Sequence, residues 1–341
     1  MSAMLGNVPF GASAGNGMFM PGAFLLATVG LTIFSIGFAA MASRVSSVGG
    51  FYSYISLGLG RDMGMAAGMA SFISYSVFEA SLYGLFAYFA NSWLLSHFGI
   101  NVSWIWLALF CVVLAALLSH FDVQLSAKIL GVALLLEVLM LSIFNFGVLT
   151  SPAAKFDLSA LNPINAFIPL AETKSTWSGE EVTIATGVAA VGIFMAFWSW
   201  VGFEMAPNYA EESVDPKRII PRSLYYSVIG LGLFYVLTSW CAVSAYPTEA
   251  EMVTKASKDS SNFFLTPLEQ NVGKWASELM YFLILTSSFA CGMAFHNTAS
   301  RYAYSLGREG VFLRYLSKTH PKHKSPYTAS VTQSALAATW L

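Results

Sequence analysis

FWSWVGFEMAPNYAEESVDP, residues 197–216, closes an apolar run that starts near Thr183 and is long enough to cross a bilayer. Within it, Ser199, Trp200, Val201 and Gly202 put a weak helix former, two residues of moderate propensity and a glycine in succession, and the acid Glu204 follows. A break at Ser199–Gly202 would free backbone N–H and C=O groups that lipid cannot satisfy, so it would have to line a cavity inside the protein. Half-helix ends at that depth hold anionic groups at their N-termini and cations at their carbonyl ends, which suits a zwitterionic or ionised small solute. The other reading is a continuous helix in which Gly202 is a close-packing contact.

Composition places this stretch in a membrane. Hydrophobic residues make up 56% of the chain and charged residues 10%, with a mean hydropathy of +0.62, whereas a soluble domain is about a quarter charged. A net charge of −1 and a pI near 6.5 leave no basic footprint for nucleic acid. Cys111, Cys241 and Cys291 all fall inside apolar runs, where a cysteine reads as a small buried hydrophobe. MSAMLGNVPFGASAGNG has no basic segment followed by an apolar one, so it does not read as a cleavable signal peptide.

A helix needs about 20 apolar residues to cross the hydrocarbon core. By that measure seven complete spans are expected, near 22–42, 64–96, 102–119, 129–149, 182–210, 223–246 and 279–300, with an eighth starting near Tyr327. The first twenty residues are too short and too rich in Gly and Pro to cross alone, and they read as the tail of a span whose first half is missing. The polar connections 150–181 and 247–278 have room for short helices. If loops 43–63, 120–128, 211–222 and 301–326 are cytoplasmic, that side collects twelve Lys and Arg residues against five outside, which predicts a multi-pass protein of the cell membrane in this orientation. HPKHK, residues 320–324, reads as charge on the inner face rather than as a metal site.

Glu79, Glu137 and Glu204 lie inside expected spans. An ionisable side chain at mid-membrane costs on the order of 3 kcal/mol and faces a cavity or a partner. Each acid alone reads equally as neutral and hydrogen-bonded to a neighbouring helix; three together favour a polar pathway.

Three stretches carry a family resemblance. AFWSWVGFE with AEESVDPKRIIPRS (residues 210–223), VGGFYSYISLGLGR (residues 48–61) and ASRYAYSLGREGVFLRYLSKTHPKHKSPYTA (residues 299–329) resemble, in this order, helix six and its following loop, the Gly-Gly-x-Tyr-x-Tyr loop between helices two and three, and the loop after helix eight of the amino acid-polyamine-organocation (APC) superfamily of transporters. The resemblance implies an all-α membrane protein with an inverted-repeat fold of five plus five helices, helices one and six broken around the substrate. On that frame the chain is one transmembrane domain over 1–341, truncated to helices two to eight with partial helices at both ends: 1–20 the remnant of broken helix one, 22–149 the rest of the first repeat, 182–341 part of the second.

The resemblance also implies site residues. The broken part of helix one, usually Gly-Ser-Gly in the family, falls near Ala3, Met4, Leu5 and Gly6, as a backbone site for a carboxylate. In helix six, Trp198 matches a substrate-shielding aromatic, Ser199, Val201 and Gly202 the unwound segment, and Glu204 an acid implicated in proton-linked gating. Glu79 falls where helix three meets the substrate side chain, implying a preference for a cationic amine or basic amino acid, and Phe295 at an aromatic position of helix eight facing the pocket. Glu137 falls where several proton-coupled members carry a Lys, which leaves the coupling open.

These readings imply a secondary active transporter of amino acids or related amines, coupled to protons or working by exchange, whose partners are a small-molecule substrate and the lipid bilayer. No cofactor and no nucleic acid are implied. The alternative is a non-transporting fragment or a structural or sensor protein derived from such a permease. A channel would need a repeated filter or charged ring, and an enzyme a nucleophile-base or metal-ligand arrangement; the sequence supplies neither.

Overall fold

A computed structural model describes residues 1–45, 49–120, 123–175, 181–320 and 325–341. Among them the chain is helical apart from one two-stranded sheet. Among the described residues, five stretches are long and apolar enough to cross a membrane: Ser2–Arg44, Gly131–Leu149, Ala189–Asn208, Pro216–Ser244 and Lys274–Arg308; Trp104–Ser119 is a shorter apolar helix. The span expected at 64–96 lies within one 38-residue helix, Arg61–Phe98. Large apolar side chains such as Val132, Leu135 and Leu233 are exposed on the protein surface, as an all-α integral membrane protein requires of its lipid-facing positions.

The chain forms two compact units. The first comprises Met1–Ile36, Glu137–Val201 and Tyr225–Phe282. It opens on α1 (Ser2–Gly11), which runs into a π-turn at Ala12–Asn16 and a 3-10 turn at Gly17–Phe19 before α2 (Met20–Arg44). The expected unwinding at Ala3, Met4, Leu5 and Gly6 is corrected by the structure: the Met4 and Leu5 N–H groups donate to the Met1 carbonyl at 3.0 and 3.1 Å, and Met4 and Leu5 are buried on a regular helix. AMLG contains neither a glycine pair nor a proline to break the helix. The backbone leaves helical geometry at Gly15 (φ −115°, ψ −106°) and Gly17 (φ +58°) instead. Gly15 abuts α7 (Ala189–Trp198) so closely that a Cβ there would lie 2.5 Å from the Gly192 nitrogen, the kind of backbone approach that small residues permit in membranes.

The connection after α6 (Val123–Leu149) holds 3-10 turns at Leu158–Leu161 and Asn165–Phe167 and an antiparallel hairpin. Its strands β1 (Ala171–Ser175) and β2 (Glu181–Ala185) pair Ala171 with Ala185 and Ser175 with Glu181. The span expected to begin near residue 182 therefore begins at Ala189, because the β-branched run Val182, Thr183, Ile184 pairs as a strand. α8 (Pro216–Tyr225), whose residues up to Leu224 belong to the second unit, is followed by a π-turn and α9 (Leu231–Ser244). In the connection after it, α10 (Glu249–Lys258) is capped by the Thr248 hydroxyl, with acids in its first turn and lysines in its last, and α11 (Leu265–Asn271) follows. Phe24, Trp200 and Tyr235 form an aromatic cluster with ring centroids 5.2–6.0 Å apart in this unit.

The second unit comprises Gly37–Leu136, Gly202–Leu224 and Leu283–Leu341. α3 (Phe51–Leu59) starts after Gly50 at φ +49°, and α4 (Arg61–Phe98) ends on left-handed Gly99. α4, α5 (Trp104–His120) and α13 (Tyr327–Trp340) meet over small side chains, Ala87, Ala108, Cys111, Ala115 and Ala337, around Tyr83. The residues of α12 (Lys274–Arg308) from Leu283 onward complete the unit.

Candidate functional site

In the first unit α7 stops at Trp198, as the glycine-bearing stretch predicts. The Ser199 N–H still reaches Met195 O at 3.2 Å, but Trp200 and Val201 bond three residues back, to Phe197 O and Trp198 O, at 3.1 and 3.2 Å. The i to i−4 ladder thus gives out over these residues. The Ser199 hydroxyl donates to Met195 O and accepts from Asn7 Nδ2 of α1, both at 2.9 Å. Trp198 packs on Phe194 at 5.1 Å, and Trp200 turns inward, its indole N–H donating to Val228 O at 3.4 Å. Glu137 is buried, its Oε2 2.9 Å from the Met1 nitrogen. Ala3 and Gly6 are half-buried on α1.

In the second unit Gly202 takes φ +116°, a conformation that only glycine adopts without strain. A Cβ there would find no atom nearer than 3.8 Å, so its backbone, not the space around it, demands glycine. The chain then continues as a 3-10 helix, Phe203–Glu212. The freed Gly202 N–H donates to Glu204 Oε2 at 2.9 Å, and Glu204 Oε1 accepts from the Tyr75 hydroxyl of α4 at 2.7 Å. An acid two residues past the break thus satisfies the donor that the break exposes. Phe295 is buried, stacked on Phe78 at 5.2 Å and tilted against Tyr75 at 5.9 Å; its Cζ, like Met205 Cε, stands 3.8 Å from where a Gly202 Cβ would lie.

Glu79, one turn beyond Tyr75 on α4, belongs to a separate network. It is fully buried; Oε1 lies 2.9 Å from His296 Nδ1 of α12 and Oε2 accepts from Gln333 Nε2 of α13 at 2.8 Å. His296 Nε2 is 2.9 Å from the Ser330 hydroxyl, and Ser76 Oγ accepts from Gln333 at 2.9 Å and from the Trp340 indole at 3.1 Å. The reading in which Glu79 pairs with neighbouring helices is the one the structure displays: both of its oxygens are engaged by the protein, so the argument for a cationic substrate through Glu79 loses its carrier.

The structure therefore gathers Gly202, Glu204 and Phe295 around Tyr75 and sets Glu79 apart. Sequence reasoning missed Asn7, Tyr75, His296 and Gln333. One signal was available for Tyr75: Tyr75, Glu79 and Tyr83 recur every four residues and so share one face of α4. In HPKHK, residues 321–324 lie outside the described residues.

The amino acid permease family matches the chain over residues 1–341. The chain is 23% identical over 328 residues to the low-affinity putrescine importer PlaP of Escherichia coli K12, covering 93% of this chain and 66% of that protein. It is 22% identical over 314 residues to the branched-chain amino acid permease BcaP of Lactococcus lactis subsp. cremoris, covering 88% and 63%. It is 24% identical over 306 residues to the amino-acid permease RocE of Bacillus subtilis, covering 89% and 61%. The chain thus spans just under two thirds of the length of these relatives.

Proposed function

From the premise that the chain belongs to the amino acid permease family of the APC superfamily, we propose that it carries out secondary active transport of an amino acid or related amine across the cell membrane. The observation that carries this reading is the interrupted helix at Ser199–Gly202, with Gly202 at φ +116° and a buried carboxylate on its freed N–H. Irregular backbone at membrane depth is retained where it binds something or lines a cavity. The relatives' names, a putrescine importer and two amino acid permeases, support a small amine or amino acid as substrate.

In this reading Trp198, Ser199, Val201 and Gly202 are the substrate-binding stretch and Phe295 an aromatic contact for the substrate. Glu204 and Glu137 are the proton-coupling candidates, and loops 43–63, 120–128, 211–222 and 301–326 are cytoplasmic.

The test is uptake of labelled putrescine, lysine, arginine, leucine and glutamate into proteoliposomes under an imposed pH gradient. Saturable uptake of a chemically unchanged solute supports the carrier. Flux that does not saturate would mean a channel, and a covalently altered product an enzyme. Glu204→Gln is expected to weaken the pH dependence of uptake while binding stays measurable; full pH dependence in that variant would transfer the role to Glu137.

A further inference from the structure

We propose that the Glu79–His296 pair is a proton-binding site that takes up and releases one proton without moving a heavy atom. Both side chains are buried to within 1% of full enclosure, and they meet at 2.9 Å between Oε1 and Nδ1. The geometry at the two ends of the imidazole is what permits the exchange. With Glu79 ionised, Oε1 can only accept, and Nδ1 facing it then carries the hydrogen. Nε2 faces the Ser330 hydroxyl at 2.9 Å, and a hydroxyl donates or accepts equally well by rotating about its C–O bond.

Two states satisfy every one of these contacts. In the unloaded state Glu79 is a carboxylate and His296 is neutral, its Nδ1–H donating to Oε1 while the Ser330 hydroxyl donates to Nε2. In the loaded state one proton has joined Nε2, which now donates to the Ser330 oxygen, and the hydroxyl hydrogen has swung away. Gln333 donates to Glu79 Oε2 in both states. The sum is one proton bound at Nε2, with the cluster passing from a net charge of −1 to 0. An unbalanced charge in the membrane interior is expensive, and the proton removes it.

The groups that face the pair do not compete for this role. α13 presents the neutral Ser330 and Gln333, and among the described residues Tyr83 on α4 interacts with Glu79 and, beside Tyr83, stands Cys111 on α5. Glu204 is engaged one turn away, on Tyr75 and the Gly202 N–H. The site is thus distinct from both proton-coupling candidates named above.

The experiment reads proton binding itself and so does not depend on transport. The chain carries five histidines; with His97, His120, His320 and His323 replaced by Gln, a ¹⁵N-histidine sample in lipid nanodiscs reports His296 alone. Across a pH series, Nε2 is expected to pass between the unprotonated and protonated nitrogen shifts while Nδ1 stays protonated throughout. In Glu79→Gln, whose amide oxygen still accepts from Nδ1–H, the loaded state loses its counter-charge, and the Nε2 transition is expected to be lost from the same series. A His296 Nε2 that keeps one shift over the whole series would overturn the proposal, and so would the same transition persisting unchanged in Glu79→Gln. The first of these outcomes is read on native Glu79, so the proposal is tested even if Glu79→Gln fails to fold.

Discussion

Glu204 and Glu79 lie in the same unit, are both buried, and engage adjacent turns of α4, yet their partners differ in kind. Glu204 is held by a backbone N–H and a tyrosine hydroxyl, two donors that keep their hydrogens at neutral pH. Glu79 is held by an imidazole and an amide drawn from two other helices. The first acid completes a piece of local backbone, and the second completes a helix-helix interface. Burial alone therefore says little about what a membrane carboxylate does; its role follows from whether its partners can change protonation.

The most severe way to break the contrast is to remove a partner from Glu79. His296→Ala takes the imidazole from Oε1 of a buried carboxylate and leaves Gln333 on Oε2, and removing one partner of a buried charge typically costs about 3–5 kcal/mol. Unfolding of the solubilised protein is expected to show that loss, and Glu79→Gln combined with His296→Ala should recover part of it, because no charge is then stranded. A double variant as unstable as His296→Ala would mean that packing, not charge, holds this interface together.

The next effect falls on the break beside Glu204. Gly202→Ala places a Cβ on a backbone at φ +116°, at a cost of about 2 kcal/mol for such a strained conformation. In an unbroken helix the same change would instead stabilise by about 1 kcal/mol, so the sign of the measured shift decides between the two. If the variant straightens the helix, Glu204 loses the Gly202 donor, and substrate binding should fall with it. Tyr75→Phe tests the other half of the site more gently. It withdraws one donor from Glu204 Oε1 and leaves the Gly202 N–H in place, an expected loss of about 1.5 kcal/mol. Tyr75→Phe costing as much as His296→Ala would erase the distinction between the two acids.

The break at Gly202 was legible in the sequence because its cause is local: a glycine and a serine interrupt an apolar run, and an acid follows within reach of the freed N–H. The family motifs were legible for the same reason, each being a short contiguous string. What escaped was long-range. The bend after α1 falls at Gly15 because Gly192, far along the chain, packs against it, and nothing in AMLG or ASAGNG alone places it there. VTIATGVAAVG reads as one continuous apolar span until the pairing of β2 with β1 removes its first residues. His296 sits in MAFHNTAS, where an imidazole passes for an ordinary core side chain, and the acid that gives it meaning is 217 residues away.

A third acid sets the solvated limit of the comparison. Asp157 lies in the connection after α6, exposed, and caps the 3-10 turn Leu158–Leu161: its carboxylate accepts from the Ser159 hydroxyl at 2.7 Å and the Ser159 N–H at 2.8 Å. Those two bonds, the hydroxyl's first, hold its pKa below the usual carboxylate range. A carboxyl with a lowered folded-state pKa adds stability above its unfolded value, near 3.9, and loses it as pH falls through the folded value. Ser159→Ala removes the larger cause. At pH 7 it should cost no more than about 0.5 kcal/mol, the ordinary scale for a surface substitution, and the difference from the native chain should shrink as the pH drops below about 4. Unfolding of both proteins at pH 7 and pH 3 measures this directly. A difference of the same size at both values would show that the serine acts through packing rather than through the charge, and Asp157 would then cease to be the electrostatic reference against which the two buried acids are judged.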